Sequence, residues 1–192
     1  MATNRELRRR IKSAGNISKI TKAMEAVAAS KMKKAQDVAT AGISYEALMK
    51  KMVSNILKFS SIVDHPLISM TVDRDLLSSL IILISPDRGL CGSLPAGIFR
   101  KAEAEIREGS NPDKVIVVGK KAVVYARRTG WNVLASFDSL GDKPTLSELS
   151  GIGAIAIEEY EQNRVGRIRL VYPKFISTLN QEAVIEDVLP VK

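Results

Sequence analysis

No proline occurs between Met1 and His65; the first is Pro66. Proline removes a backbone donor and breaks a helix interior, so a stretch this long without one, rich in lysine, arginine, alanine and spaced aliphatics, predicts a continuous helix from Asn4 to Phe59. At ~1.5 Å rise per residue it would be a rod roughly 80 Å long, several times the usual globular helix. A single small domain cannot bury a rod of that length. Residues 1–58 hold thirteen lysines and arginines against four acids, whereas the whole chain of 192 residues holds 29 against 21. The positive charge therefore belongs to the rod, and residues 59–192 are close to neutral. A basic rod of this kind works among acidic surfaces, whether nucleic acid, membrane or an acidic protein.

Along the rod, apolar residues recur at steps of three and four: Leu7, Ile11, Ala14, then Ile17, Ile20, Met24, Val27, then Met32, Ala35, Val38, and later Leu48, Met52 and Ile56. Such spacing makes a seam on one helix face, and the shift of phase around Ile17 is of the kind that alters supercoiling. Seven alanines between Ala23 and Ala41 keep the rod slim enough for another helix to approach closely. Two readings stand: half of a coiled coil, or an amphipathic helix packed on its own domain. Gly15 and Gly42 each cost about 1 kcal/mol relative to alanine, so the rod is one helix or two, broken at either glycine.

Beyond Pro66 the texture changes. Residues 76–84 read as a buried strand, followed by Ser85-Pro86-Asp87-Arg88-Gly89-Leu90-Cys91-Gly92 and a helix over 93–108. Strands follow at 114–118 and 131–137, with a helix at 120–129 ending on Gly130. A helix over 146–163 has Thr145 or Ser147 as its cap, and strands at 167–172 and 183–189 close the set. Strands alternating with helices imply right-handed crossovers and a mostly parallel sheet covered on both faces. The fold class is α/β: a long N-terminal coiled-coil helix, residues 1–65, and a Rossmann-like parallel-sheet domain, residues 66–192.

That fold raises the possibility of a nucleotide enzyme, but the turn after the first strand offers Gly89 and Gly92 without G-x-G-x-x-G. No G-x-x-x-x-G-K-[ST] occurs. Cys91 is the only cysteine, so no intrachain disulfide forms and a reducing compartment is implied. As a nucleophile it lacks company: a phosphatase-type loop needs an arginine at position 97, which is Gly97, and the only histidine, His65, is remote. No cluster has metal-ligand spacing. The acids at Glu103, Glu105 and Glu108, and at Glu158, Glu159 and Glu161, alternate with arginines and lysines and read as solvated helix faces. The longest apolar runs fall far short of the ~20 residues of a membrane span. Thirteen cations suit nucleic acid, yet the rod carries only Tyr45 and Phe59 as aromatics and no groove- or strand-reading motif.

Three strings carry a resemblance. Arg10-Ile11-Lys12-Ser13 with Asn16 through Met24 and Val27 through Met32, then Asp87 through Gly92, then Val171 through Ser177 continuing by Gln181-Glu182 to Leu189-Pro190, together resemble the gamma subunit of F-type ATP synthases. The resemblance implies a central-stalk rotor whose N-terminal helix pairs antiparallel with a C-terminal helix inside a ring of alternating alpha and beta subunits. The sheet domain would sit below, against the epsilon subunit and the ring of c subunits. It implies no catalytic residue, cofactor or metal in this chain, and no nucleic-acid partner. Lys19, Lys22 and Met24 match the part of the family helix that faces acidic lever loops of the beta subunits, although the spacing of Met24 from Ile20 and Val27 also fits the seam. Asp87, Arg88, Gly89, Leu90, Cys91 and Gly92 match a loop near the foot of the shaft that would meet epsilon or the c ring, and a plain turn-and-helix-start role stands beside that one. The family usually carries a polar residue shortly after this signature, where this chain has Ser93-Leu94-Pro95. The family's second long helix should begin near Leu189-Pro190, so the reading expects the C-terminal shaft helix to be absent and the seam of Ile17, Ile20, Met24 and Val27 to be exposed. The expected location is peripheral, at the cytoplasmic face of a bacterial membrane or the matrix face of the mitochondrial inner membrane.

Overall fold

A computed structural model describes residues 3–59, 65, 67, 77–106, 113–138, 140–141 and 144–191. The chain divides into two compact units, Met1–Ser61 and Ile62–Lys192.

The first unit is one helix, α1, Asn4–Phe59. It runs unbroken through Gly15 and Gly42, so the two-helix alternative is set aside. Thirteen or so further turns of i to i−4 hydrogen bonds outweigh a glycine's cost of about 1 kcal/mol. Ion pairs at the i, i+4 spacing stud its surface: Arg10 with Glu6 at 2.7 Å, Lys33 with Asp37 at 3.2 Å and Lys50 with Glu46 at 2.6 Å. All are exposed, and each contributes only about 0.3–0.5 kcal/mol. The apolar seam is exposed as expected, Ile17, Ile20, Met24 and Val27 each retaining more than half of their surface.

The second unit is an α/β sheet structure. Its elements are β1 (Ser79–Ile84), α2 (Leu94–Glu103), β2 (Lys114–Val118), α3 (Lys120–Thr129), β3 (Val133–Phe137), α4 (Leu146–Glu161), β4 (Arg167–Phe175) and β5 (Gln181–Leu189). The sheet order is β3-β2-β1-β4-β5. The first four strands are mutually parallel, and β5 alone is antiparallel. The exception has a local cause. Parallel neighbours need a crossover of a dozen or more residues, whereas β4 and β5 are joined by the short turn Ser177–Asn180, with reciprocal backbone bonds of 2.9 and 3.2 Å. Both strands are also longer than their hydropathy suggested, because pairing in the hairpin extends through Phe175 opposite Gln181.

β1 is central, and its alternation feeds two cores. Ile81 and Leu83 pack with Ile98, Phe99 and Ala102 of α2 and with Ala122, Val123 and Ala126 of α3. Leu80 and Ile82 face the other way, onto Ile152, Ala156 and Tyr160 of α4. A strand buried on both faces reads as an unbroken apolar run, which is why it was visible in the sequence. The strand begins at Ser79 rather than at 76: Leu77 and Ser78 precede it, and residue 76 lies outside the described residues.

Two expectations change. α2 stops at Glu103 rather than running to 108, because Arg169 on β4 takes the Glu105 carboxylate at 2.8 Å and the Glu105 carbonyl at 3.2 Å. Residues 107 and 108 lie outside the described residues. Glu159 is not on a solvated face: it is buried, accepting from Lys114 of β2 at 2.6 Å and from Arg164 at 2.7 Å. Charge satisfied on both oxygens is what makes that burial tolerable. α4 is capped by Thr145, not Ser147, in a reciprocal capping box with Glu148.

Candidate partner-contact surfaces

Along α1 the three singled-out residues do not share a face. At about 100° per residue, Lys19 and Lys22 lie about 60° apart, while Met24 is about 140° or more from both. Both lysines are exposed. Met24 falls in line with Ile20 and Val27, and so belongs by geometry to the apolar seam. The helix thus offers a cationic side through Lys19 and Lys22 and an apolar side through Met24.

The Asp87–Gly92 loop leaves β1 and is bound to the start of α3. The first N–H groups of a helix have no partner within it. Here Lys120 N–H donates to Asp87 Oδ1 at 2.9 Å, Lys121 N–H to the Pro86 carbonyl at 3.4 Å and Ala122 N–H to Ser85 Oγ at 2.8 Å. A carboxylate at this end also complements the helix dipole. Gly119 makes the approach possible, with φ of 96° and a position where a Cβ would lie 2.1 Å from the Ser85 carbonyl oxygen. At α2 the Leu94 N–H goes to the Cys91 carbonyl at 3.4 Å, and Pro95 has no N–H to offer. The start of α3 is closed by the chain's own atoms, and a carboxylate stands where it would otherwise receive an anion.

With its base anchored, the loop presents a tip. Leu90 has φ of 63° and is 95% exposed. A leucine held in the left-handed region with its side chain in water is costly to the fold alone. The Cys91 thiol donates to the Arg88 carbonyl at 3.4 Å and is half-buried, a loop cysteine in a hydrogen bond. The β4–β5 turn projects from the same, C-terminal end of the parallel strands, and its Leu179 is 97% exposed.

Sequence reasoning missed one feature, a groove between α2 and α3. Phe99 stacks on Tyr125 at 4.1 Å between ring centroids, and Tyr125 meets the edge of Trp131 at 5.5 Å. The Arg128 guanidinium lies 4.9 Å from the Tyr125 centroid. The Tyr125 hydroxyl donates to Glu103 at 2.6 Å, and this hydrogen bond to a carboxylate, reinforced by partial burial, holds the phenol above its ordinary value. The only signal available was spacing: Lys121, Tyr125 and Arg128, and Ala96, Arg100 and Glu103, each fall at i, i+4, i+7.

A long basic helix with an exposed apolar seam, in one chain with a sheet unit whose exposed loops carry Leu90 and Leu179 at their tips, is the make-up of a subunit that works by contact with other chains. A family model described as ATP synthase matches residues 3–192. This chain belongs to the gamma-subunit family of the F-type ATP synthases, the rotor subunits of the central stalk. It is similar in fold to a chain of the Tetrahymena thermophila mitochondrial ATP synthase central stalk and c ring, at 24% identity and a TM-score of 0.62, with 89% of this chain and 72% of that one covered. A chain in the rotor of the Euglena gracilis mitochondrial ATP synthase matches at 18% identity and a TM-score of 0.47, over 92% of this chain and 63% of that one. The F1 part of such an enzyme is peripheral to the membrane. Among the described residues, no helix is long and apolar enough to cross one.

Proposed function

We propose that this central-stalk subunit transmits torque between a membrane c ring and the alpha and beta subunits, with α1 as one helix of a shaft turning inside their ring. The sheet unit would meet the epsilon subunit and the c ring, at the cytoplasmic face of a bacterial membrane or the matrix face of the mitochondrial inner membrane. ATP would be bound and made on the alpha and beta subunits, this chain supplying no catalytic residue. The observation that carries the reading is the division of α1 into a cationic side and a separate apolar seam. Met24 would serve the seam, against an antiparallel helix, and Lys19 and Lys22 would face acidic lever loops of the beta subunits. Exposed ion pairs are worth about 0–1 kcal/mol each, weak enough to break and reform as the shaft turns.

In the sheet unit, Leu90 at the tip of Asp87–Gly92 is the anchor we assign to the foot of the shaft. Asp87 positions the loop, and Arg88, Gly89, Cys91 and Gly92 shape it. Photocrosslinking through the native Cys91 in the assembled enzyme is expected to yield an adduct with epsilon or a c subunit, and an adduct with alpha or beta would reassign the loop to the catalytic ring.

The decisive experiment is charge reversal on the shaft. Lys19→Glu with Lys22→Glu should lower ATP-driven proton pumping per ATP hydrolysed, measured on vesicles bearing the assembled enzyme. Unchanged coupling would sink the assignment. Co-purification with alpha and beta subunits is the accompanying expectation, and salt-sensitive capture on nucleic acid without them would overturn the rotor reading itself.

A further inference from the structure

The groove between α2 and α3 has a volume of about 530 Å³ and lies wholly within the sheet unit. Its walls differ in character. Pro95 and Ala96 supply an apolar end on α2, and Arg100 and Arg128 face in from the two helices. The groove's acid, Glu103, already accepts the Tyr125 hydroxyl. Around it, α3 carries Lys120, Lys121, Arg127 and Arg128 with no acid of its own, and α2 carries Arg100 and Lys101 against Glu103. Residues 59–192 contain slightly more acids than cations, so this concentration is local to α2 and α3 and not a property of the composition.

Within α3 this charge meets no acid. α1 neutralises several of its cations with acids at i, i+4, while α3 has none to use and starts with Lys120 and Lys121 at the positive end of its dipole. Asp87 offsets part of that cost at the backbone of Lys120. Arg128, like Arg100 of α2, stands in the last turn of its helix, where the dipole favours a cation, and both guanidiniums line the groove in place to take a partner's carboxylates.

We propose that the α2–α3 groove is the docking site for an acidic protein segment of another subunit of the same complex, its carboxylates taken by Arg100 and Arg128 and a small apolar side chain seated on Pro95 and Ala96. Arginine's planar fork holds a carboxylate through two parallel hydrogen bonds, and Arg128 is already oriented by the Tyr125 ring beneath it. A nucleic-acid strand fits less well, because both faces of Tyr125 are covered, one by Phe99 and the other by Arg128, leaving no platform for a base.

The proposal rests on the rotor reading for the origin of the segment, and the test separates the two. Benzoylphenylalanine is placed at the exposed Ala96, and the purified, assembled enzyme is irradiated. The expected result is one adduct, mapped by mass spectrometry to a segment of another subunit with at least two acidic residues. Arg100→Glu with Arg128→Glu should reduce its yield at least tenfold, and the milder Arg100→Gln with Arg128→Gln should do the same in a chain whose thermal melt is unchanged. Replacing the partner's acids by lysine should restore the adduct to the charge-reversed chain. No adduct in an assembled, active enzyme, an adduct with lipid or with a segment lacking acids, or a yield indifferent to charge, would overturn the groove assignment while leaving the rotor reading intact. Failure of the wild-type chain to assemble with alpha and beta subunits would overturn both.

Discussion

Asp87 and Lys120 are 33 residues apart, and the carboxylate of the first accepts the backbone N–H of the second at 2.9 Å. A loop that follows one strand is thereby fastened to the helix that follows the next. The acid of the signature is a cap, and the residue it presents is Leu90. Asp87→Ala should cost about 1 kcal/mol, the usual value of a lost helix cap, read as a lower urea midpoint with an unchanged slope. Leu90→Ala, by contrast, should leave that midpoint in place and weaken association with partner subunits. Equal loss of stability in both variants would contradict this division of roles.

Gly119 sits at the same junction under a double constraint. Its φ of 96° disfavours any side chain, and a Cβ there would meet the Ser85 carbonyl oxygen at 2.1 Å, a backbone atom that cannot swing aside. Gly119→Ala should therefore destabilise the sheet unit by about 3 kcal/mol or more, measured by equilibrium unfolding. A variant within about 1 kcal/mol of wild type would show that the junction is softer than its geometry implies.

The Glu159 network gives the protein an acid limb. Burial pushes its carboxyl up, but hydrogen bonds and charge from Lys114 and Arg164 outweigh this and hold it below the ordinary carboxylate value. Glu148 is lowered as well, by accepting the Thr145 N–H and hydroxyl of the capping box. A depressed folded value means the stabilisation is complete above the unfolded value of about 4.3 and is lost as pH falls through the folded one. Unfolding free energy should thus be level near neutrality and decline below about pH 4.5. Glu159→Gln should be less stable at pH 7, with the gap to wild type closing in acid. A gap independent of pH would show that the carboxylate is not the titrating group.

The glycines of α1 behave differently from Gly119. A Cβ at Gly15 or Gly42 meets nothing within 4 Å. Gly15→Ala and Gly42→Ala should each stabilise the helix by about 1 kcal/mol, raising the midpoint of its circular-dichroism melt. If either glycine is there for close approach of a second helix, the same change should impair assembly, and that separation of effects is measurable. A fall in helicity would instead reveal a break at that position.

The extent of α1 could be read from the chain because every bond that makes it joins residues four apart, and proline's absence, the cations and the three-and-four spacing all report at that range, while its continuity through Gly15 and Gly42 was left for the structure to decide. The parallel strands were visible for a related reason: burial on both faces turns β1 and β2 into unbroken apolar runs. The Lys19 and Lys22 side also follows from local geometry, since 100° per residue places it away from Met24 once the helix is known to be continuous. What could not be read depends on partners far along the chain. Glu159 looked solvated until Lys114, 45 residues away, was brought beneath it. α2 looked longer until Arg169, 64 residues from Glu105, held its end. Asp87 as a cap, the single antiparallel strand and the α2–α3 groove have the same origin. Periodicity along a segment reports the environment of its own face, whereas the identity of a distant neighbour is set only when the crossovers stack the strands in the order β3-β2-β1-β4-β5.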